Sequence, residues 1–141
     1  MRMEKHLAAL REVMDEIESA LEDPGGLTKH QRRLATMLSL GVCELVEIYF
    51  HKLGIMKSGS RIKHIMLRRK NINENLSKQI ITPIESVKNI DAIIELARGV
   101  EEERNNMAYG SPQPHEKLLQ AKIQDFLNLK SLIEKEIGEI I

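Results

Sequence analysis

Hydrophobic positions recur at steps of three and four along nearly the whole chain. Leu7, Leu10, Met14, Ile17 and Leu21 put an apolar face on a first helix. Asp23-Pro24-Gly25-Gly26 ends it, because proline and two glycines do not continue a stable helix. Thr28 offers an N-cap oxygen, and Gln31 three residues later completes a capping-box pattern. The second helix carries Leu34, Met37, Leu38, Gly41, Val42, Leu45, Ile48 and Tyr49 on one broad stripe. His51 and Lys52 suit its negative end, and Gly54 is placed as a left-handed cap. Residues 55–81 are less regular. Lys57-Ser58-Gly59-Ser60 leads to a short helical candidate from Arg61 to Arg69, and Asn71, Asn73 and Asn75 interrupt the pattern before Leu76 to Ile81. Thr82-Pro83-Ile84-Glu85 has the cap, the first-turn proline and the acid of a helix start. Val87, Ile90, Ile94 and Ala97 follow on one face, which predicts a helix to about Asn106, with Gly110 just past its end. Ser111-Pro112 begins a last helix with the stripe Leu119, Ile123, Phe126, Leu129, Ile133, Ile137 and Ile140.

Alternating β-branched runs bounded by hairpin turns are absent. The expected fold is all-α, an antiparallel helical bundle of four long helices plus one short helix. At 141 residues it forms a single domain, 1–141. With 42% hydrophobic and 30% charged residues, the chain belongs with folded rather than disordered sequences. Stripes this long can bury more surface than one bundle offers, so a homodimer is expected. The single cysteine, Cys43, lies in an apolar run and reads as core. It can form no internal disulfide, and one cysteine supplies no zinc cluster. Met1 to His6 passes into a charged amphipathic stretch rather than a signal core. The longest uncharged apolar run, Leu34 to Cys43, is half a membrane span. A cytoplasmic protein without membrane contact is the expectation.

Charge changes the picture. Lys plus Arg and Asp plus Glu are both 21, and a neutral chain argues against a general nucleic-acid binder. Neutrality is only an average, however. Residues 1–26 carry seven acids against Arg2, Lys5 and Arg11. Residues 54–84 carry Lys57, Arg61, Lys63, Arg68, Arg69, Lys70 and Lys78 against Glu74 alone, and His64 lies among them. Such a run is commonly a solvated, partly flexible connector. It is also what a phosphate-binding patch requires. Lys57, Arg61, Lys63, His64, Arg68, Arg69 and Lys70 are therefore candidate RNA-binding residues. With two Phe, two Tyr and no Trp, recognition by base stacking is not expected.

The densest cluster of unusual residues is Glu101-Glu102-Glu103-Arg104-Asn105-Asn106-Met107-Ala108-Tyr109-Gly110. Three acids at a helix C-terminal end oppose the dipole there. A purely structural account pairs Arg104 with Glu101, caps with Asn106 and Gly110, and packs Tyr109. Here the sequence resembles the HEPN family of small all-helical domains, whose hallmark is an Arg, usually followed by a polar residue such as Asn, and then a His after four to six intervening residues. Arg104-Asn105 matches the opening, at the family's place between a long helix and the last one, and the second helix, His30 to Gly54, has the family look. The His slot is occupied by Tyr109, and the next histidine, His115, lies too far on. The resemblance implies metal-independent RNA cleavage by the 2′-hydroxyl, with Arg and His of two protomers facing across a cleft. Histidine suits that proton chemistry near neutrality. Tyrosine, with a pKa of about 10, does not readily act as a base there. The resemblance thus makes Arg104, Asn105 and Tyr109 the candidate catalytic residues of a weak or degenerate ribonuclease that binds RNA or a nucleotide.

Other chemistries find little support. Glu-x-x-His pairs of di-iron bundles and phosphate-cradling glycine loops are absent. Glu44, Glu47 and His51 make half a metal site, and His6, His30, His51 and His64 read as surface residues. No metal and no cofactor is expected. The competing function is a non-catalytic helical interaction module that binds a partner protein, as a toxin–antitoxin partner or a defence-complex subunit.

Overall fold

The computed structural model describes residues 3–68, 70–110 and 116–141. Among them the chain is all-helical, without a strand: α1 (Met3–Glu22), α2 (Gln31–Lys52), α3 (His64–Arg68), α4 (Ile72–Ser77), α5 (Ile90–Glu101), α6 (Arg104–Tyr109) and α7 (Glu116–Ile137). Two 3₁₀ turns, Leu27–His30 and Ile84–Ser86, join the set. Three short helices stand where one was expected.

α2 is the central element. It buries residues around most of its circumference, from Leu34 and Leu38 to Val46, Tyr49 and Phe50, as a helix surrounded by others must. It packs against α1, α5, α6 and α7. The helix Leu27–Lys52 is long and apolar enough to cross a membrane, but 72% of its apolar window is buried inside the fold, which accounts for that apolarity. α1 and α2 run in opposite directions, since His6 meets Glu44 and Glu47 while Glu16 meets His30. The same reversal relates α5 to α7: Lys122 reaches the Gly99 carbonyl and Glu136 reaches Asn89.

The buried stripe of α1 is His6, Leu10, Val13, Ile17 and Ala20. Relative to the expected face it is rotated: Leu21 is 57% exposed, and Met14 is only partly covered. The close approach of three helices explains the turn. A Cβ on Gly41 of α2 would lie 2.5 Å from the Phe126 ring of α7 and 3.0 Å from Val13 of α1. The rotated stripe puts Val13 at this contact, between Leu10 and Ile17.

The expected capping box does not form. Thr28 and Gln31 belong to the end of α1–α2 connection in another way: the Glu116 carboxylate at the start of α7 accepts the Thr28 N–H at 3.0 Å, and the Gln31 amide donates to the Met107 carbonyl. At the other end of α2, Gly54 takes φ 72. Its N–H bonds the His51 carbonyl, and the Ile55 N–H bonds that of Phe50, the paired closure of a left-handed helix end.

Residues 55–81 are no free connector. Ile62, Leu67, Ile72, Leu76 and Ile80 are buried in the core. The segment is closed at its base, where Lys57 N–H bonds Gln79, Ile81 N–H bonds Ile55, and Met56 and Ile80 form an isolated antiparallel bridge. The helix expected from Pro83 to Asn106 is broken twice. Ser86 Oγ donates to the Pro83 carbonyl, Val87 is extended, and Asn89 takes the left-handed region (φ 62) before α5. Glu103, also at φ 62, then separates α5 from α6. The stripe itself holds, with Val87, Ile90, Ile94 and Ala97 all buried. The expected start of the last helix at Ser111-Pro112 lies outside the described residues. α7 buries Leu119, Ile123, Phe126, Leu129 and Ile133 and ends at Gly138, so Ile137 and Ile140 are only partly covered.

Candidate functional site

The turn at Glu102 and Glu103 sets the Arg104 segment. Glu101, the last residue of α5, is 2% exposed, and Ser39 of α2 donates its hydroxyl to one carboxylate oxygen. Burial raises the Glu101 pKa, an effect opposed by the Ser39 bond and by the charges of Arg104, Arg68 and Lys122. Lys122 of α7 is also buried, and its ammonium donates to the Gly99 carbonyl near the end of α5 at 2.8 Å. Burial lowers its pKa, and Glu102, Glu103, Asp125 and Glu101 oppose that. The three acids at the end of α5 thus have a local reason: one is sequestered with Ser39, and the others balance a buried lysine.

Arg104 opens α6. One guanidinium nitrogen donates to the exposed Asn105 side chain at 3.0 Å, while Nε is buried without a partner among the described residues. Arg104 makes none of the ion pairs found among the described residues, so pairing with Glu101 is a field effect rather than a contact. Met107 and Ala108 seat α6 against α2, helped by Gln31 and by Arg32, which reaches the Gly110 carbonyl. Tyr109 is 77% exposed. Five residues along an α-helix is a rotation of about 140° beyond a full turn, so Arg104 and Tyr109 leave α6 on different sides.

The basic segment divides between two places. His64, at the start of α3, is partly buried, and its Nδ1 has no partner among the described residues. Burial lowers its pKa first, then the charges of Arg104 and Arg68. Those three side chains share one electrostatic neighbourhood. Arg68 also lines a cavity of about 300 Å³ with Arg98 and Glu101 to Glu103. Lys57 and Arg61 instead line a different pocket, with His6, Glu47 and His51. Lys63 and Lys70 are exposed, and Arg69 lies outside the described residues, as does His115.

Two histidines expected on the surface are not there. His30 is buried between Glu16 (3.1 Å) and Asp23 (2.8 Å), whose other oxygen accepts the Gly25 N–H. This clasp fixes the α1–α2 turn. The Asp23 and Glu16 bonds raise the His30 pKa, and the Gly25 and His30 bonds lower that of Asp23. His6 is 9% exposed and sits between Glu44 and Glu47: its Nδ1 faces Glu44, and its Nε2 is 3.0 Å from Glu47. The sequence shows Glu44, Glu47 and His51 as half a site, and His6 supplies the other half from α1. The missing signal was the true stripe of α1, on which His6 precedes Leu10 by four residues. Cys43 is buried as expected, and burial drives its thiol pKa far up, so it is inert.

Comparison with protein-family models, curated proteins and solved structures finds no match.

Proposed function

We propose that this chain is a HEPN-like protein in which α1, α2, α5 and α7 form an antiparallel four-helix bundle, and that it engages RNA or a nucleotide through Arg104. Asn105 orients the guanidinium, and His64 and Arg68 flank it. The observation that carries this reading is the state of Arg104: a partly buried guanidinium, held by Asn105 and offset by no contacting carboxylate, beside a second arginine and an imidazole. A phosphate would give Arg104 the direct anionic contact that it does not make among the described residues. In this reading the protein acts as a cytoplasmic homodimer and cleaves RNA weakly without metal, because Tyr109 stands in the histidine slot. Losing such an acid–base group costs about a hundred- to ten-thousand-fold in rate.

The test is cleavage of single-stranded RNA in EDTA. Arg104→Ala is expected to abolish the residual activity and weaken RNA binding. Tyr109→His is expected to raise the rate by about 100-fold or more. A specific observation favours the second reading, a non-catalytic interaction module for a partner protein. Tyr109 presents an almost fully exposed ring on a side of α6 away from Arg104. A Tyr109→His protein no more active than Arg104→Ala would select that reading.

A further inference from the structure

We propose that His6, Glu47 and His51 form a binding site for a divalent transition metal, with Glu44 orienting His6. One donor atom from each of His6, Glu44 and Glu47 lies within 4.8 Å of the others, and His51 borders this cluster without belonging to it. Their roles separate by geometry. Glu44 lies on the Nδ1 side of the ring and accepts that proton, as the carboxylate partner of a metal-bound histidine does. This turns Nε2 toward Glu47. One Glu47 oxygen accepts the Ile62 N–H at 2.8 Å, which fixes the carboxylate and leaves Oε2 facing His6 Nε2 at 3.0 Å. Two ligand atoms each ~2.1 Å from one metal, at right angles, are themselves about 3.0 Å apart.

His51 follows Glu47 by four residues, so the two share a face of α2. Its ring lies 6.3 Å from that of His6, centroid to centroid. His6, Glu47 and His51 together line a pocket of about 370 Å³, which Lys57 to Arg61 also line. Two imidazoles and one carboxylate around an open position suit zinc, iron(II), cobalt or nickel rather than magnesium or calcium. The metal takes the place of the Nε2 proton, which leaves to solvent. Solvent or a small anion fills the open side, where Lys57 and Arg61 stand. This site is separate from the Arg104 cluster, and the RNA assays in EDTA do not depend on it.

The full chain, stripped with EDTA and dialysed, is titrated with Co²⁺ under visible absorption and with Zn²⁺ by calorimetry. One equivalent per chain, with d–d bands for cobalt and a raised Tm with zinc, is the expected result. His51→Ala and Glu47→Gln should each weaken binding by at least ~10-fold, the range in which even an orienting partner is felt. Glu44→Gln should weaken it by about 10–100-fold at unchanged stoichiometry. Glu47→Gln keeps an acceptor for Ile62. If it still fails to fold, His51→Ala decides alone, because His51 makes no side-chain hydrogen bond among the described residues. Absence of cobalt bands and of zinc heat, or affinities unmoved by both variants, would overturn the proposal. His6 would then serve only as a structural clasp between Glu44 and Glu47.

Discussion

His30 shows how much one side chain can tie together. It joins Glu16 in α1 to Asp23 in the turn, and both bonds are strongest when the imidazole is charged. Its folded pKa is raised above 6.5, so its contribution to stability is complete below pH 6.5 and is lost as pH rises through the folded value. Asp23 has the opposite sign. Its folded pKa is lowered from 3.8, so its contribution is present above that value and is lost as pH falls through the folded one. The clasp therefore supports the fold most between these limits. Urea unfolding across pH should show stability declining as pH rises above 6.5, and His30→Gln should flatten that decline. An unchanged profile in the variant would assign the pH dependence elsewhere. None of this was legible locally. His30, like His6, follows no rule of spacing that marks it as buried, and its partners lie 7 and 14 residues away on another element.

Elements were read from the sequence in proportion to how local their causes are. The α2 end was legible because Gly54 alone admits the left-handed closure. The breaks around α5 were not. Asn89 and Glu103 take positive φ without being glycine, and distant contacts hold the first: Tyr49 donates to the Lys88 carbonyl, and Asn89 donates to Glu136. A pattern of apolar residues at helical spacing passes smoothly over such points. Gly41 is the converse case, a glycine that looks like an ordinary stripe position and marks the tightest packing of α1, α2 and α7. Gly41→Ala adds a methyl against Phe126, which is fully buried and cannot retreat. Overpacking of this kind costs about 1–3 kcal/mol, and alanine regains up to ~1 kcal/mol in helix propensity. A net loss of roughly 1–2 kcal/mol in chemical denaturation is expected. A stabilised variant would mean that the three helices can separate without strain.

At the scale of the whole molecule, zero net charge conceals a division the linear charge run did not show. Six bases between Lys57 and Lys70 looked like one patch. The fold sends Lys57 and Arg61 to the His6–Glu47–His51 pocket, and places Arg68 and His64 in the field of Arg104. The chain returns on itself between these places, since the base of the segment is closed by the Met56–Ile80 bridge. If RNA is held at Arg104, only the second group should contact phosphates. Each phosphate contact on a single strand contributes about 0.7 to the slope of log affinity against log salt. Replacing Arg68 and His64 by Gln should therefore lower the slope by up to about 0.7, the share of the Arg68 charge, and weaken binding. Replacing Lys57 and Arg61 by Gln should leave the slope where it was. Equal losses from both pairs would mean that one continuous RNA path crosses the segment. A slope unmoved by either pair would leave Arg104 as the sole phosphate contact.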